Sequence, residues 1–389
     1  MNKSWIYKKI GEVCTVERGG SPRPIDQFIT DDEKGINWIK IGDTTDSMYI
    51  TKTEQKIIPE GMKKSRYVKP GDFLLSNSMS FGRPYILQID GCIHDGWLVL
   101  RDDKEMFDKR FLYYYLSSRT TYEKFKSMAV GGVVNNLNSE MVRNVDVPIP
   151  EKNAQTQVAD LLDKMKGIID NRKKELLLLD TLIKARFVEM FGDPADSSNM
   201  NSVELSEICN KITDGEHGSV AKVPNGHPFL NAKHIMKNGR IDWDTITFIG
   251  DEDHQRIYRR CNPEEGDILL TTTGTIGNVA IMPKHEEVSM DRGITLLKIN
   301  RQRVTSEFVA EMLKQPAVQT EMGANVHASA IGHLFMNKVK KLPAIVPSMD
   351  EQVEFTDFVK QVDKSKVAIQ KSLEKTRLLF DSLMQKYFG

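Results

Sequence analysis

Cysteine is scarce in this chain, long apolar runs are missing, and neither sign of charge prevails. The four cysteines among 389 residues (Cys14, Cys92, Cys209, Cys261) are widely scattered, with no CxxC pair, and only Cys92 has a histidine close by, His94. That spacing excludes the familiar zinc modules and a disulfide framework, and points to small buried thiols in a reducing cytoplasm. Leu176–Leu179 is the densest apolar patch and sits among charges, far short of the roughly 18–20 apolar residues of a membrane span. Met1–Val13 carries charges throughout and lacks the apolar stretch of a secretory signal. A soluble, cytoplasmic protein is expected. Net charge is +0, from 54 basic and 54 acidic residues. A lone nucleic-acid binder is usually basic, because neutralising phosphates supplies much of its affinity. A balanced chain in that role needs partners that share the phosphate contacts.

Catalytic signatures are absent as well. The sequence has no GxxxxGK[ST] phosphate loop, no GxSxG elbow and no HExxH pair. Asn262-Pro263-Glu264-Glu265 superficially resembles the Asn-Pro-Pro-aromatic motif of amino-methyltransferases. It lacks the second proline and the stacking ring, and reads as a turn before Gly266-Asp267. Gly274 to Gly277 lacks the third glycine and the following helix of a dinucleotide fingerprint. Asp214, Glu216 and His217 crowd one Gly-rich loop, where three ligand types rarely converge on one metal; an exposed turn is expected. No catalytic residue and no metal site is assigned.

What the chain does have is a repeat. Its length suits two domains, and 40% hydrophobic with 28% charged residues lets each half bury a core. Ile10-Gly-Glu-Val-Cys14 matches Leu205-Ser-Glu-Ile-Cys209, displaced by 195 positions. Trp38-Ile39 fits Phe229-Leu230 at a displacement of 191. Gly71-Asp-Phe-Leu-Leu-Ser76 with Gly82 matches Gly266-Asp-Ile-Leu-Leu-Thr271 with Gly277, and Met141 and Pro148 match Met336 and Pro343, all at 195. Phe191-Gly192 matches Phe388-Gly389 at 197. Loop insertions account for the changes of displacement, and five matches in order are not chance.

Each copy opens with a mixed region, residues 1–150 and 198–347, of short apolar runs broken by Gly, Pro, Asn and Asp. Val68–Leu75, Asp267–Leu270, Gly91–Leu100 and Ile294–Ile299 read as strands; Phe111–Leu116 and Phe308–Leu313 read as short helices. Prolines 148, 150, 343 and 347 close the two regions. Behind them, residues 151–197 and 348–389 read as long helices. Val158, Leu162, Met165, Ile169, Leu176, Leu179, Ile183 and Met190 alternate in steps of four and three, with Arg172 and Arg186 in the remaining seam positions. Val359, Val362, Ile369, Leu373, Phe380, Leu383 and Tyr387 keep the seam in the second copy, with Lys366 and Thr376 as exceptions. Sustained alternation of three and four predicts a coiled-coil helix. The fold class is therefore mixed α/β: two tandem globular recognition domains separated by two long helices that form an antiparallel coiled coil with a pseudo-two-fold axis. Such helices are on the order of 55 Å long. That is long enough to hold two reading heads a turn of duplex or more apart, one turn being about 34–36 Å.

The loops after the Gly-Asp strands are runs of small hydrogen-bonding side chains beside glycines. Glycine lets a backbone approach closely, and Ser, Thr and Asn bond phosphate oxygens or base edges. Candidate DNA contacts are thus Ser76, Asn77, Ser78, Ser80 and Arg83 in the first copy, and Thr271, Thr272, Thr273, Thr275 and Asn278 in the second. His94-Asp95-Gly96-Trp97 and Met290-Asp291-Arg292-Gly293 form a second matched pair, with Asp95 aligned to Asp291 as turn caps and Arg292 as a contact. Basic stretches at Lys63, Lys64 and Arg66, and at Arg259 and Arg260, precede the Gly-Asp turn in both copies and are candidates to track phosphates. Asn135, Asn136, His327 and Ser329 complete the set. A shared frame with differing side chains is what two domains of one fold need in order to read different sequences.

The doubled order resembles a known family. A Gly-Asp-apolar-Leu-Leu strand, a Ser/Thr-Gly loop and a Pro-rich close are followed by a Gln-Val start (Gln157-Val158, Gln352-Val353), a long helix and a Phe-Gly end, twice. This is similar to the specificity subunit of type I restriction–modification systems, and Phe191-Gly-Asp-Pro194 is like that family's junction between first helix and second recognition domain. The resemblance covers essentially the whole chain. It implies that each variable region reads one half of a bipartite double-stranded DNA site, while the helices set the spacer and dock two modification (methyltransferase) subunits. It also implies restriction subunits carrying the nuclease and motor, with S-adenosylmethionine, Mg and ATP on those partners and no cofactor on this chain. Base contacts do not carry over, because recognition loops vary with the target. Two alternatives remain: the recognition module of another restriction–methylation enzyme, disfavoured because Gly389 ends on the second helix, and a protein scaffold that reads no DNA.

Overall fold

Both copies are organised by the Gly-Asp turn. Gly71 and Gly266 sit at φ 92° and 82°, a region that glycine enters without the steric cost of a Cβ. The following Asp closes each turn, Asp72 accepting from Lys69 N (3.0 Å) and Asp267 from Glu264 N (2.9 Å). A basic residue then bonds that carboxylate: Arg101 Nε lies 3.3 Å from Asp72, and Lys298 Nζ lies 2.8 Å from Asp267. Out of the turns run Phe73–Ser76 and Ile268–Thr271, buried at every residue. Alternation is lost in these strands because both faces are covered.

A computed structural model describes residues 5–77, 81–129, 136–196, 202–326 and 332–389. It divides into two units, Met1–Lys173 with Lys371–Gly389, and Lys174–Gln370. In the first, one five-stranded sheet runs Thr15–Arg18, Trp97–Arg101, Phe73–Ser76, Pro84–Leu87, Tyr49–Ile50. The other runs Ile29–Thr30, Gln55–Ile57, Ile36–Ile39, Gly91–Ile93, Arg66–Val68. In the second unit the corresponding sheets have four strands among the described residues. One is Cys209–Asp214, Ile294–Ile299, Ile268–Thr271, Val279–Ile281, and the other is Lys222–Val223, Thr247–Ile249, His227–Leu230, Ser289–Met290. The run expected over Gly91–Leu100 is thus two strands in two sheets, parted by a turn at His94–Gly96, and Lys69–Asp72 interrupts the run expected over Val68–Leu75. The short helices are Lys109–Ser117 and Ser306–Leu313, capped by the side chains of Asp108 and Thr305. Cys14, Cys92 and Cys261 are buried and Cys209 half-buried. Burial pushes their thiols up, Cys92 to about 11 and the others to about 12, so none is reactive at neutral pH.

The long helices are Lys152–Phe191 and Met349–Phe388, 40 residues each. The second opens on a capping box, Ser348 N and Oγ both donating to Glu351 (2.9 and 2.7 Å) and Glu351 N to Ser348 Oγ (3.3 Å). The first closes on Gly192 at φ 75°, whose N–H donates to Val188 O at 2.9 Å. Each unit contains the beginning of one helix and the end of the other. In the second unit Asp180 meets Lys366 (2.6 Å) and Arg186 meets Glu354 (3.1 Å). Numbers rise on one helix as they fall on the other, so the two segments are antiparallel. Among the expected seam residues Leu162, Met165, Ile169, Ile183, Val359, Val362 and Leu373 are buried, while Leu176, Leu179, Ile369, Phe380 and Leu383 are half-buried.

The Phe-Gly ends have a packing role. Phe388 is buried in the first core, its ring centroid 5.4 Å from Phe111 and 5.9 Å from Tyr115. Phe191 packs on the second core, 5.2 Å from Phe308 and 5.5 Å from Phe355. Each domain is therefore completed by the end of the helix that follows the other domain. Helix beginnings are fastened by a buried glutamine. Gln155 accepts from Asp108 N (2.8 Å) and donates to Pro150 O (2.9 Å) and Met106 O (3.1 Å). Gln352 accepts from Thr305 N (2.8 Å) and donates to Pro347 O (3.0 Å) and Arg303 O (2.9 Å). This corrects the alignment: Gln352 corresponds to Gln155, and Gln157 is exposed.

The same slip of two positions affects every pair beyond the central hairpin. Ser76 corresponds to Thr271, but Trp97 pairs with Ser76 as Ile294 pairs with Thr271, so displacement has grown from 195 to 197. Two extra residues lie in the second copy between Met282 and Gly293. Val147 accordingly corresponds to Ala344, the partners of Lys8 and Val203, and the matches of Met141 with Met336 and Pro148 with Pro343 do not hold. Asp95 aligns with Arg292, and His94 with Asp291. The turn proves it, since Gly96 N donates to His94 Nδ1 (2.8 Å) as Gly293 N donates to Asp291 Oδ1 (2.9 Å).

Candidate nucleic-acid interface

The loops that follow the Gly-Asp strands share one hydrogen-bonded frame. Ser76 N donates to Arg83 O (3.1 Å), Gly82 N to Ser76 O (2.8 Å) and Arg83 N to Ser76 Oγ (3.0 Å). Thr271 N donates to Asn278 O (2.9 Å), Gly277 N to Thr271 O (2.9 Å) and Asn278 N to Thr271 Oγ1 (2.9 Å). Gly82 and Gly277 take φ 72° and 90° at the loop exit. The next residue ties the loop to its surroundings: Asn77 N reaches Gly96 O (3.0 Å) and Leu137 N reaches Asn77 O (3.0 Å). In the second copy Thr272 N reaches Gly293 O (2.8 Å) and Leu334 N reaches Thr272 O (2.9 Å).

This frame separates the candidate residues. Ser76, Asn77, Thr271 and Thr272 are at most 2% exposed. Asn77 Nδ2 donates to Asp95 O (2.8 Å), and Thr272 Oγ1 lies 3.3 Å from Thr295 Oγ1. Their side chains hold the loop and do not face a ligand, which corrects the expectation that they contact DNA. Asn278 is also engaged, through Ile235 O at 2.8 Å. Thr273 is half-buried, and Thr275, Arg83, Asn136, Lys63, Lys64, Arg66, Arg259, Arg260 and Arg292 are exposed. Ser78, Ser80, Asn135, His327 and Ser329 lie outside the described residues.

Exposed candidates gather around the turn beside the frame. In the first copy Gly20 N donates to Ile93 O (3.2 Å) and Ser65 Oγ to Ile93 O (2.8 Å), which brings the Lys63–Arg66 stretch beside the loop after the first sheet strand. Asp95 there holds Ser21 Oγ (2.8 Å) and Arg23 (3.2 Å). The Ser21 hydroxyl in particular, with its own backbone, His94 and Arg23, keeps the Asp95 carboxyl below its ordinary range. An open cleft of about 930 Å³ adjoins them, with Arg23, Lys40 and His94 in its wall. Arg83 stands apart, bonded to Thr45 O (3.2 Å) and lying over the Tyr85 ring. In the second copy Arg260 bonds the backbone of Asp214 and Gly215, and Arg292 N donates to Glu216 O (2.9 Å). His217 lies 2.7 Å from Asp214, and Thr273 Oγ1 lies 2.7 Å from His333 Nδ1. Burial first, then the charge of Arg292, holds His333 below its ordinary value. Sequence reasoning missed His333, the counterpart of Asn136, because the slip in displacement hid the match.

Among the described residues no three His, Cys, Asp or Glu side chains are placed to hold a metal. Among them, too, no helix is long and apolar enough to cross a membrane. Two copies of one frame, each carrying its own rim of polar and basic side chains, define a two-headed recognition protein. The chain belongs to the family of type I restriction modification DNA specificity domains, which matches residues 2–179 and again residues 197–377. Its role is that of a DNA sequence-specificity subunit, not of a catalyst. It is 22% identical to the type I restriction enzyme MjaIX specificity subunit of Methanocaldococcus jannaschii, over 99% of this chain and 92% of that one. It is 20% identical to the EcoKI specificity subunit of Escherichia coli, over 99% and 89%. The fold is shared with a chain solved in a study of assembly of the type I system (TM-score 0.65, 16% identity, covering 100% and 98%). It is shared also with the S subunit of M. genitalium (TM-score 0.52, 17% identity, covering 100% and 97%).

Proposed function

We propose that each copy reads one half of a bipartite double-stranded DNA site through the rim beside its loop frame, while the paired long helices set the gap between the halves. The observation that carries this is the identity of the two frames beside rims of different charge: a common scaffold holds different readers at the same place. The helices also dock two methyltransferase subunits, and restriction subunits join that complex in the cytoplasm. Leu177, Leu178 and Leu182 on the first helix and Leu378 and Leu379 on the second are 46–71% exposed, and apolar side chains exposed in series along a helix favour a protein partner. Partner subunits supply S-adenosylmethionine, Mg and ATP and share the phosphate contacts, in keeping with a net charge of +0.

The test is co-expression with the methyltransferase subunit and mapping of methylated adenines by sequencing, for the native chain and for one with a heptad inserted into both helices. The spacer should lengthen while both half-sites stay the same. Altered half-sites would sink the ruler, and a chain whose methylation pattern ignores exchanged rims would be a scaffold.

A further inference from the structure

Arg292 and its counterpart Asp95 occupy the same backbone position with opposite charge. The second-copy turn is rigid: Asp291 N donates to Leu230 O (2.9 Å), Arg292 N to Glu216 O (2.9 Å) and Ile294 N to Asp291 O (3.2 Å). Every nearby carboxylate is already engaged. Asp214 holds His217 at 2.7 Å and Arg260 at 3.6 Å. Glu216 pairs with Arg256 and accepts from Gly218 N at 2.8 Å. Asp291 accepts from Gly293 N at 2.9 Å. Among the described residues no carboxylate lies within 4.0 Å of the Arg292 guanidinium, and the side chain is exposed. A planar fork of donors, unpaired among the described residues and carried on a fixed turn, matches the paired O6 and N7 acceptors that guanine presents in the major groove.

We propose that Arg292 reads a guanine in the half-site contacted by the second copy, and that the first copy makes no such contact because Asp95 carries no donor. This rests on the DNA-reading proposal above. An arginine bound only to phosphate would weaken all sequences alike, which separates the two roles experimentally.

The experiment is binding selection on a randomised duplex library by the full chain assembled with its methyltransferase subunits, comparing native protein, Arg292→Ala and Arg292→Lys. Arg292→Ala should lose preference at one G·C pair of one half-site, with binding to the best native site falling roughly 10- to 100-fold. Arg292→Lys should keep part of the preference, since lysine also reaches O6 and N7. The other half-site, unchanged, is the internal control for folding. Uniform weakening across sequences, a relaxed pair that is not G·C, or no change would overturn the assignment of Arg292 alone. A native complex without sequence preference would overturn the DNA-reading proposal itself.

Discussion

The two copies agree where the backbone must be held and differ where it meets solvent. Ser76 and Thr271 close equivalent loops, Asp72 and Asp267 close equivalent turns, and Gln155 and Gln352 fasten equivalent helices. The rims diverge: Asp95 faces Arg292, and Asn136 faces His333. Secondary structure diverges there too, since the first copy adds the strand Arg66–Val68 and the second lengthens a four-residue helix, Pro59–Met62, to the eight-residue Asp251–Tyr258. Beside the loop, Phe81, Tyr113, Tyr122 and Phe380 wall a cleft of about 910 Å³ in the first unit. In the second, Gln319 stands where Tyr122 does and donates to Gly277 O at 3.0 Å. Buried hydrogen bonds cannot vary without loss, because an unmet partner costs about 1–3 kcal/mol. Exposed side chains vary freely, and that freedom is what a changing target requires.

The helix ends sharpen this comparison most. Phe187 is fully buried among Phe308, Phe355 and Phe191, whereas its counterpart Met384 is half-buried. Phe187→Ala should cost about 3–5 kcal/mol and Met384→Ala roughly 1–2 kcal/mol. Hydrogen exchange resolved by segment reads each unit separately. Equal losses of protection in the two units would mean that the cores depend equally on their borrowed helix ends.

The glutamines should behave alike if the copies share one frame. Gln155→Leu or Gln352→Leu leaves two carbonyls and one N–H unpaired at a partly buried junction, at about 2–3 kcal/mol for each substitution. Loosening should appear first where each domain meets its helix, at Asp108 and Thr305. A large effect at one glutamine and none at the other would break the equivalence.

Much of this was legible in the sequence because it rests on local chemistry. Glycine at positive φ, a following Asp and an all-apolar strand mark the hairpin, and steps of three and four mark the helices. The relation between copies was harder. A two-residue insertion between Met282 and Gly293 preserves each motif but shifts the register, so the motifs alone align Asp95 with Asp291 and Gln157 with Gln352. Burial was illegible for a similar reason: Ser76 and Thr271 are polar residues beside glycines, as surface loops are, yet each closes its own loop from inside. Only the long-range partners, Gly96 O and Leu137 N among them, reveal that Asn77 is interior.

The smallest difference concerns pH. Asn231 N donates to His234 Nδ1 (3.0 Å), and His234 Nε2 faces Thr245 O (3.2 Å). At the equivalent place in the first copy Lys40 N donates to Asp43 (2.7 Å). A protonated imidazole has no lone pair left to accept the Asn231 N–H. Burial foremost holds His234 below its ordinary 6.5, so the unfolded chain takes up this proton more readily than the folded one. The contribution is therefore fully present above pH 6.5 and is lost as pH falls through that value toward the folded one. His234→Gln, which keeps an acceptor and a donor without titrating, should flatten the acid dependence of protection around residues 231–245. An equally steep acid loss in the His234→Gln chain would place the sensitivity on another group.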